Sequence, residues 1–142
     1  MSSQQATTQF HYAFAIADIA RAREFYVTRL GCREGRSTGH WIDFELFGHQ
    51  LSAHLGKPPG ASCEGLVDGH AVPIPHFGAI LSVAQFWAFA EQLRAAGISF
   101  LTEPGLRFVG KPGEQATMFF LDPDGNALEF KAFVRPEEVF AT

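Results

Sequence analysis

Two stretches of this 142-residue chain repeat one another, and that repeat constrains the fold more than any other feature. Phe10-His11-Tyr12-Ala13-Phe14-Ala15-Ile16 runs into a helical pattern that closes at Leu30-Gly31. Pro75-His76-Phe77-Gly78-Ala79-Ile80-Leu81 runs into a second one that closes at Ala96-Gly97. Further along, Phe47-Gly48-His49-Gln50-Leu51-Ser52 answers Asp124-Gly125-Asn126-Ala127-Leu128-Glu129. A duplicated segment folds as two copies of one supersecondary unit, so equivalent positions fall at equivalent places. His11 and His76 then share one place, at the head of an apolar strand.

The local patterns give each copy the same element order. In the first, residues 11–16 read as a buried strand, Ala17-Asp18 offers an N-cap, and residues 19–30 are helical, with Ile19, Ala22, Phe25-Tyr26 and Leu30 at helical spacing. Strands follow at 32–37, 41–46 and 50–55. In the second, a strand at 76–82 precedes a helix at 83–96 with Phe86-Trp87, Ala90 and Leu93 on one face. Strands follow at 99–103, 116–121 and 127–133. Asp122-Pro123-Asp124-Gly125-Asn126 is a hairpin turn by composition, since Gly and Asn tolerate positive φ. Each copy is therefore β-α-β-β-β. Residues 56–75 between them carry Lys57-Pro58-Pro59-Gly60 and Pro73-Ile74-Pro75, and form either a binding loop or a passive linker. A second glycine-rich loop, 105–113, lacks the spacing of a phosphate-binding P-loop.

Bulk properties narrow the class of partner. A formal net charge of −4 leaves no basic footprint for nucleic acid and no polybasic patch for a membrane. No apolar run approaches the roughly 20 residues that span a bilayer. The first five residues lack the basic and apolar regions of a signal peptide. Cys32 and Cys63 are isolated and read as reduced thiols. A cytoplasmic protein acting on a small molecule is expected.

Strand alternation decides which residues share a face. Leu128, Phe130 and Ala132 form a helix-facing set, so Ala127, Glu129 and Lys131 lie on the open face. Leu51, Ala53 and Leu55 are helix-facing in the answering strand, which leaves Gln50, Ser52 and His54 on the open face. The repeat register makes Ser52 the counterpart of Glu129. Two neutral imidazoles and a carboxylate suit a divalent first-row metal, so His11, His76 and Glu129 are the candidate metal ligands. Singly, His11 and His76 read more readily as polar caps at strand starts; jointly and in register with Glu129 they favour a metal site. Glu129 differs, because a carboxylate in an apolar strand needs a partner. His54 alone reads as a structural neighbour of the site, while His40, His49 and His70 fall in turns or loops with ordinary exposure.

The paired units, the Asp18…Phe25-Tyr26…Leu30-Gly31 stretch and the ending Phe120-Leu121-Asp122-Pro123-Asp124-Gly125-Asn126-Ala127-Leu128-Glu129 resemble the vicinal oxygen chelate superfamily, which includes glyoxalase I, bleomycin resistance proteins and type I extradiol dioxygenases. The resemblance covers residues 10–133. It implies an α+β fold in which two paired βαβββ modules form a curved mixed sheet with helices on the convex face. It implies one domain over residues 1–142: a first module at about 10–56, a linking loop at 57–75, a second module at 76–133 and a tail at 134–142. His11, His76 and Glu129 match the three ligands of the extradiol enzymes. Glyoxalase I adds a glutamate where this chain has Ser52, which counts against that activity.

The dioxygenase pattern has its own gap, Met118-Phe119-Phe120 standing where those enzymes carry a tyrosine. His54 is the candidate acid/base residue by face, with His40 behind it. The resemblance implies iron(II) or manganese(II), with zinc or nickel as alternatives, a small-molecule substrate with vicinal oxygens, and a homodimer. A glyoxalase-like lyase or isomerase is the nearest alternative. A metal-free, drug-binding protein of the bleomycin resistance type is the other, and such proteins usually lack the His-His-Glu set.

Overall fold

A computed structural model describes residues 8–60 and 62–142, with backbone alone for 62–64. The expectation for residues 1–5 and the state of the Cys63 side chain lie outside the described residues. The chain divides into two compact units, Met1–Lys57 and Pro58–Thr142.

In the first unit the order is β1 (His11–Ile16), α1 (Ile19–Arg23), a π-helical segment (Glu24–Arg29), β2 (Arg33–Ser37), β3 (Trp41–Leu46) and β4 (His49–Leu55). The sheet runs β1-β4-β3-β2, with β1 and β4 parallel and the other pairs antiparallel. Asp18 caps α1, its Oδ1 accepting the Arg21 N–H at 2.7 Å, and such a cap contributes about 1 kcal/mol. The expected continuous helix over 19–30 stays α-helical for only five residues. It then widens, with the Leu30 N–H donating to the Phe25 carbonyl five residues back. The wider turn sends the adjacent Phe25 and Tyr26 both into the core, where Tyr26 stacks on Phe44 at 4.9 Å and Phe14 packs 5.5 Å from Tyr26. Phe14 and Phe44 are core residues. Cys32 is buried beneath them, and burial above all pushes its thiol up to about 12, so it is an inert thiol.

The second unit repeats the topology after an added hairpin. β5 (Ser62–Val67) and β6 (His70–Ile74) form a two-stranded sheet of their own. The strands meet at Asp68-Gly69, both residues at positive φ, as a two-residue hairpin turn requires. The linking segment is therefore structured and belongs to the second unit. Next come β7 (His76–Ile80), α2 (Val83–Ala95), β8 (Phe100–Arg107), β9 (Gln115–Leu121), β10 (Ala127–Phe133) and a 3₁₀ turn (Pro136–Glu138). The sheet order β7-β10-β9-β8 matches that of the first unit, again with first and last strands parallel. The fold class is α+β, with two βαβββ modules, each built on a mixed sheet.

Ser82 and Gln85 close a capping box at the start of α2. The helix buries Phe86, Phe89, Ala90 and Leu93. Trp87, expected on that face, is 42% exposed, because Phe89 occupies the inward position. Leu128, Phe130 and Ala132 face the core as expected. β8 runs four residues past its expected end, into the glycine-rich loop, with two register shifts on the way. The Asp122-to-Asn126 turn is a self-bonded clamp. Asp122 Oδ1 accepts the Asp124 and Asn126 N–H groups, and Oδ2 accepts the Asn126 side-chain amide. It delivers β10 in the register that puts Glu129 on the open face. The tail is tied down by Glu138, which accepts from Gly113 N–H and Arg135, while Phe140 is 92% exposed. Among the described residues no helix is long and apolar enough to cross a membrane.

Candidate metal centre

The two sheets place the repeated positions identically. β1 pairs with β4 so that His11 faces Gln50 and Ala13 faces Ser52. β7 pairs with β10 so that His76 faces Ala127 and Gly78 faces Glu129. Ser52 and Glu129 are therefore equivalent, as the repeat register requires.

Within the second unit, His76 and Glu129 meet. His76 Nδ1 lies 2.6 Å from the Pro73 carbonyl oxygen, and Nε2 lies 3.4 Å from Glu129 Oε1. A carbonyl only accepts, so Nδ1 carries a proton, and Nε2 faces a carboxylate. Two acceptors on one imidazole require either a second proton or a cation between Nε2 and Oε1. The 3.4 Å separation is long for a hydrogen bond and suits two donor atoms sharing a first-row ion, each about 2.0–2.2 Å from it. Glu129 Oε2 accepts the Thr117 hydroxyl at 2.6 Å, which fixes the carboxylate's plane. The Phe119 ring packs edge-on against His76 at 5.1 Å, and carries no hydroxyl toward the site.

Electrostatics follow this geometry. The Glu129 hydrogen bond raises the His76 pKa against the opposing effect of burial, and the Pro73 carbonyl adds to it. Burial pushes the Glu129 carboxyl up, but hydrogen bonds from His76 and Thr117 and the nearby Lys131 charge outweigh it, and its pKa falls.

Within the first unit, a different chain of contacts prepares His11. Asp43, buried on β3 opposite Ser52, accepts the Ser52 hydroxyl at 2.6 Å and the Gln50 amide nitrogen at 3.4 Å. Since a carboxylate only accepts, Gln50 must turn its NH₂ toward Asp43 and its Oε1 toward His11. That oxygen lies 2.8 Å from His11 Nδ1, which must therefore donate, leaving the Nε2 lone pair available to a metal. His76 reaches the same tautomer through Pro73. The place where Ser52 lacks a carboxylate is thus supplied with one from the neighbouring strand.

His54 stands opposite Ala15 and Trp41, its ring 6.5 Å from the Trp41 ring. It is four residues beyond Gln50 along β4, roughly 13 Å by strand rise. His49 is engaged as well, its Nδ1 accepting the Phe10 N–H at 2.8 Å, while His40 is exposed and His70 begins the second hairpin strand. Among the described residues no three His, Cys, Asp or Glu side chains gather within reach of one ion. The structure joins His76 with Glu129 in one unit, and His11 with Gln50 and Asp43 in the other. Sequence patterns had missed Asp43 and Thr117. Both lie on open faces by alternation, at Asp43 with Trp41 and Glu45, and at Thr117 with Gln115 and Phe119, and that alternation was the available signal.

The Glyoxalase/Bleomycin resistance protein/Dioxygenase superfamily matches residues 8–130. The chain belongs to that superfamily. A glyoxalase/bleomycin resistance protein/dioxygenase from Alicyclobacillus acidocaldarius is 30% identical, over 96% of this chain and 99% of that one, with a TM-score of 0.79. A superfamily protein of the same description from Nocardioides is 20% identical, over 97% and 91% of the two chains, with a TM-score of 0.67. The genomically encoded fosfomycin resistance protein FosX from Listeria monocytogenes is 15% identical, over 95% and 100%, with a TM-score of 0.64. These last two likenesses establish the shared fold. No curated protein matches the chain. Many members of the superfamily are enzymes, and members often bind divalent metals.

Proposed function

We propose that the protein is a metal-dependent enzyme of this superfamily, nearest to a small extradiol-type dioxygenase, with His11, His76 and Glu129 holding iron(II) or manganese(II). The observation that carries the reading is the His76 imidazole, held between the Pro73 carbonyl and the Glu129 carboxylate so that a cation fits between ring and acid. A bound divalent ion would act as a Lewis acid toward two adjacent substrate oxygens. The protein's own groups do the rest. Pro73 and Gln50 set both histidine tautomers, Thr117 orients Glu129, and Phe119 packs edge-on against the His76 ring. His54 is the proton carrier in this reading, and its distance along β4 requires a substrate long enough to reach it. The protein works as a cytoplasmic homodimer on a small molecule.

One observation favours a second reading. Asp43, bonded to Ser52, restores a carboxylate near the fourth-ligand position of glyoxalase-like enzymes. Four donors with zinc or nickel would point to a lyase or isomerase.

Elemental analysis of anaerobically purified protein, beside His76→Ala and Glu129→Ala, tests both. One iron or manganese per chain, lost in both variants, supports the dioxygenase and justifies a screen with catechols and O₂. Zinc or nickel, weakened by Asp43→Asn, supports the second reading. No metal bound, and none taken up on reconstitution, removes both and leaves a binding protein.

A further inference from the structure

The second unit encloses a small cavity that borders the Glu129 centre, with a wall of residues to which neither reading gives a role. The hairpin contributes Val67, His70 and Val72, and the sheet contributes Thr102 and Arg107 from β8, Gln115, Thr117 and Phe119 from β9, and Glu129 from β10. The register explains the gathering. Arg107 pairs with Gln115, Phe119 with Glu129, and Thr117 with Lys131, so all stand on the open face that carries Glu129.

Its chemistry is one-sided. Arg107 is half-buried, and its only hydrogen bond among the described residues goes to the Leu106 carbonyl at 2.9 Å. It has no carboxylate partner among them. The Thr102 hydroxyl and the His70 ring likewise have no hydrogen-bond partner among the described residues, although both line the cavity. Every other arginine with an ion pair in this unit, Arg94 and Arg135, is matched to a glutamate. The sole acid in the wall is Glu129, already engaged by Thr117 and His76. Lys131 adds a second positive charge on the same face. An arginine without a carboxylate partner, beside further unspent donors, selects an oxyanion.

We infer that this cavity is an oxyanion subsite, in which Arg107, with Thr102 and His70, receives the carboxylate or phosphate group of an anionic ligand. That this ligand is the substrate of the Glu129 centre rests on the function proposed above; oxyanion binding by Arg107 does not. The cavity measures about 20 Å³, room for a single water, so the ligand enters as the hairpin lifts. Lifting breaks no sheet pairing, because β5 and β6 pair only with each other, provided the hairpin pivots at Pro73, whose carbonyl stays on His76. The tip is held by Asp68 Oδ2, which accepts the Phe108 N–H at 3.1 Å, next to Arg107.

The test is calorimetric titration of metal-stripped protein with oxalate and with inorganic phosphate, in the wild type and in a Glu129→Gln background that can hold no metal at that carboxylate. Binding should be tighter in Glu129→Gln, where no carboxylate repels the probe. Arg107→Met should weaken it about tenfold or more, and Arg107→Lys by less. Arg33→Met, on the first unit's surface, should leave it unchanged. Preference for oxalate assigns a carboxylate ligand and preference for phosphate a phosphorylated one. Equal affinity in Arg107→Met, with circular dichroism showing a folded protein, overturns the inference, as does failure of both probes to bind in both backgrounds. Manganese binding followed by electron paramagnetic resonance separates the two proposals. A protein that takes no metal yet needs Arg107 for oxalate keeps this site and loses the metal centre.

Discussion

At the scale of single residues, His76 and Glu129 make the metal-free protein's stability depend on pH with a defined sign. His76 is raised from its ordinary 6.5, so its contribution is complete below that value and is lost as pH rises through the higher folded pKa. Glu129 is lowered from 4.5, so its contribution is complete above that value and is lost as pH falls through the lower folded pKa. Both are present together between pH 4.5 and 6.5. The gap in thermal midpoint between stripped wild type and Glu129→Gln should be widest in that window and shrink on both sides. A flat difference across pH would show that the pair contributes nothing. Thr117 offers a second residue-scale check. Thr117→Val removes the donor that orients Glu129 and should weaken metal affinity about 10–100-fold, read by competition with a chelating dye, while the fold persists. The three ligand candidates were legible in the sequence because strand alternation and an internal repeat expose their register. Asp43, Thr117 and Arg107 were not, because each acquires its partners only across strands, and no local pattern states which strand lies alongside.

At the scale of elements, the β-α-β-β-β succession of each module could be read from apolar patterning, and the exceptions have physical causes. The π-helical segment widens the turn that carries the adjacent Phe25 and Tyr26, both buried in the core. The Asp68-Gly69 hairpin carried a proper turn signal that the proline-rich surroundings masked. β7 and β10 approach so closely that a methyl group on Gly78 would collide with the Glu129 carbonyl oxygen. Gly78→Ala should therefore force the strands apart, cost about 1–3 kcal/mol in denaturant unfolding, and disturb the ligand two strand positions from His76. Ala13, at the equivalent place in the first unit, already carries that methyl, and Ala13→Gly should lack the effect on metal binding.

At the scale of the whole molecule, the proposed ligands come from both units: His11 from the first, His76 and Glu129 from the second. Mixing His11→Ala with Glu129→Ala distinguishes how chains supply them. If each chain closes its own site, the mixture should bind no metal. If two chains share their units, random reassortment should restore about a quarter of the sites, since about half the dimers are mixed and each has one intact site. Native mass spectrometry with metal analysis reads the result.

The hairpin has a further consequence. It lies between the two repeats in the chain, its strands pair with each other alone, and it meets the neighbouring sheet through Asp68 on the Phe108 N–H and through the Pro73 carbonyl on His76. Its length and side chains can be rewritten without re-registering the strands that hold His76 and Glu129. A grafted hairpin that keeps a carbonyl at position 73 over His76 Nδ1 is therefore the natural unit for redirecting what the protein accepts, whereas one that loses it also releases His76.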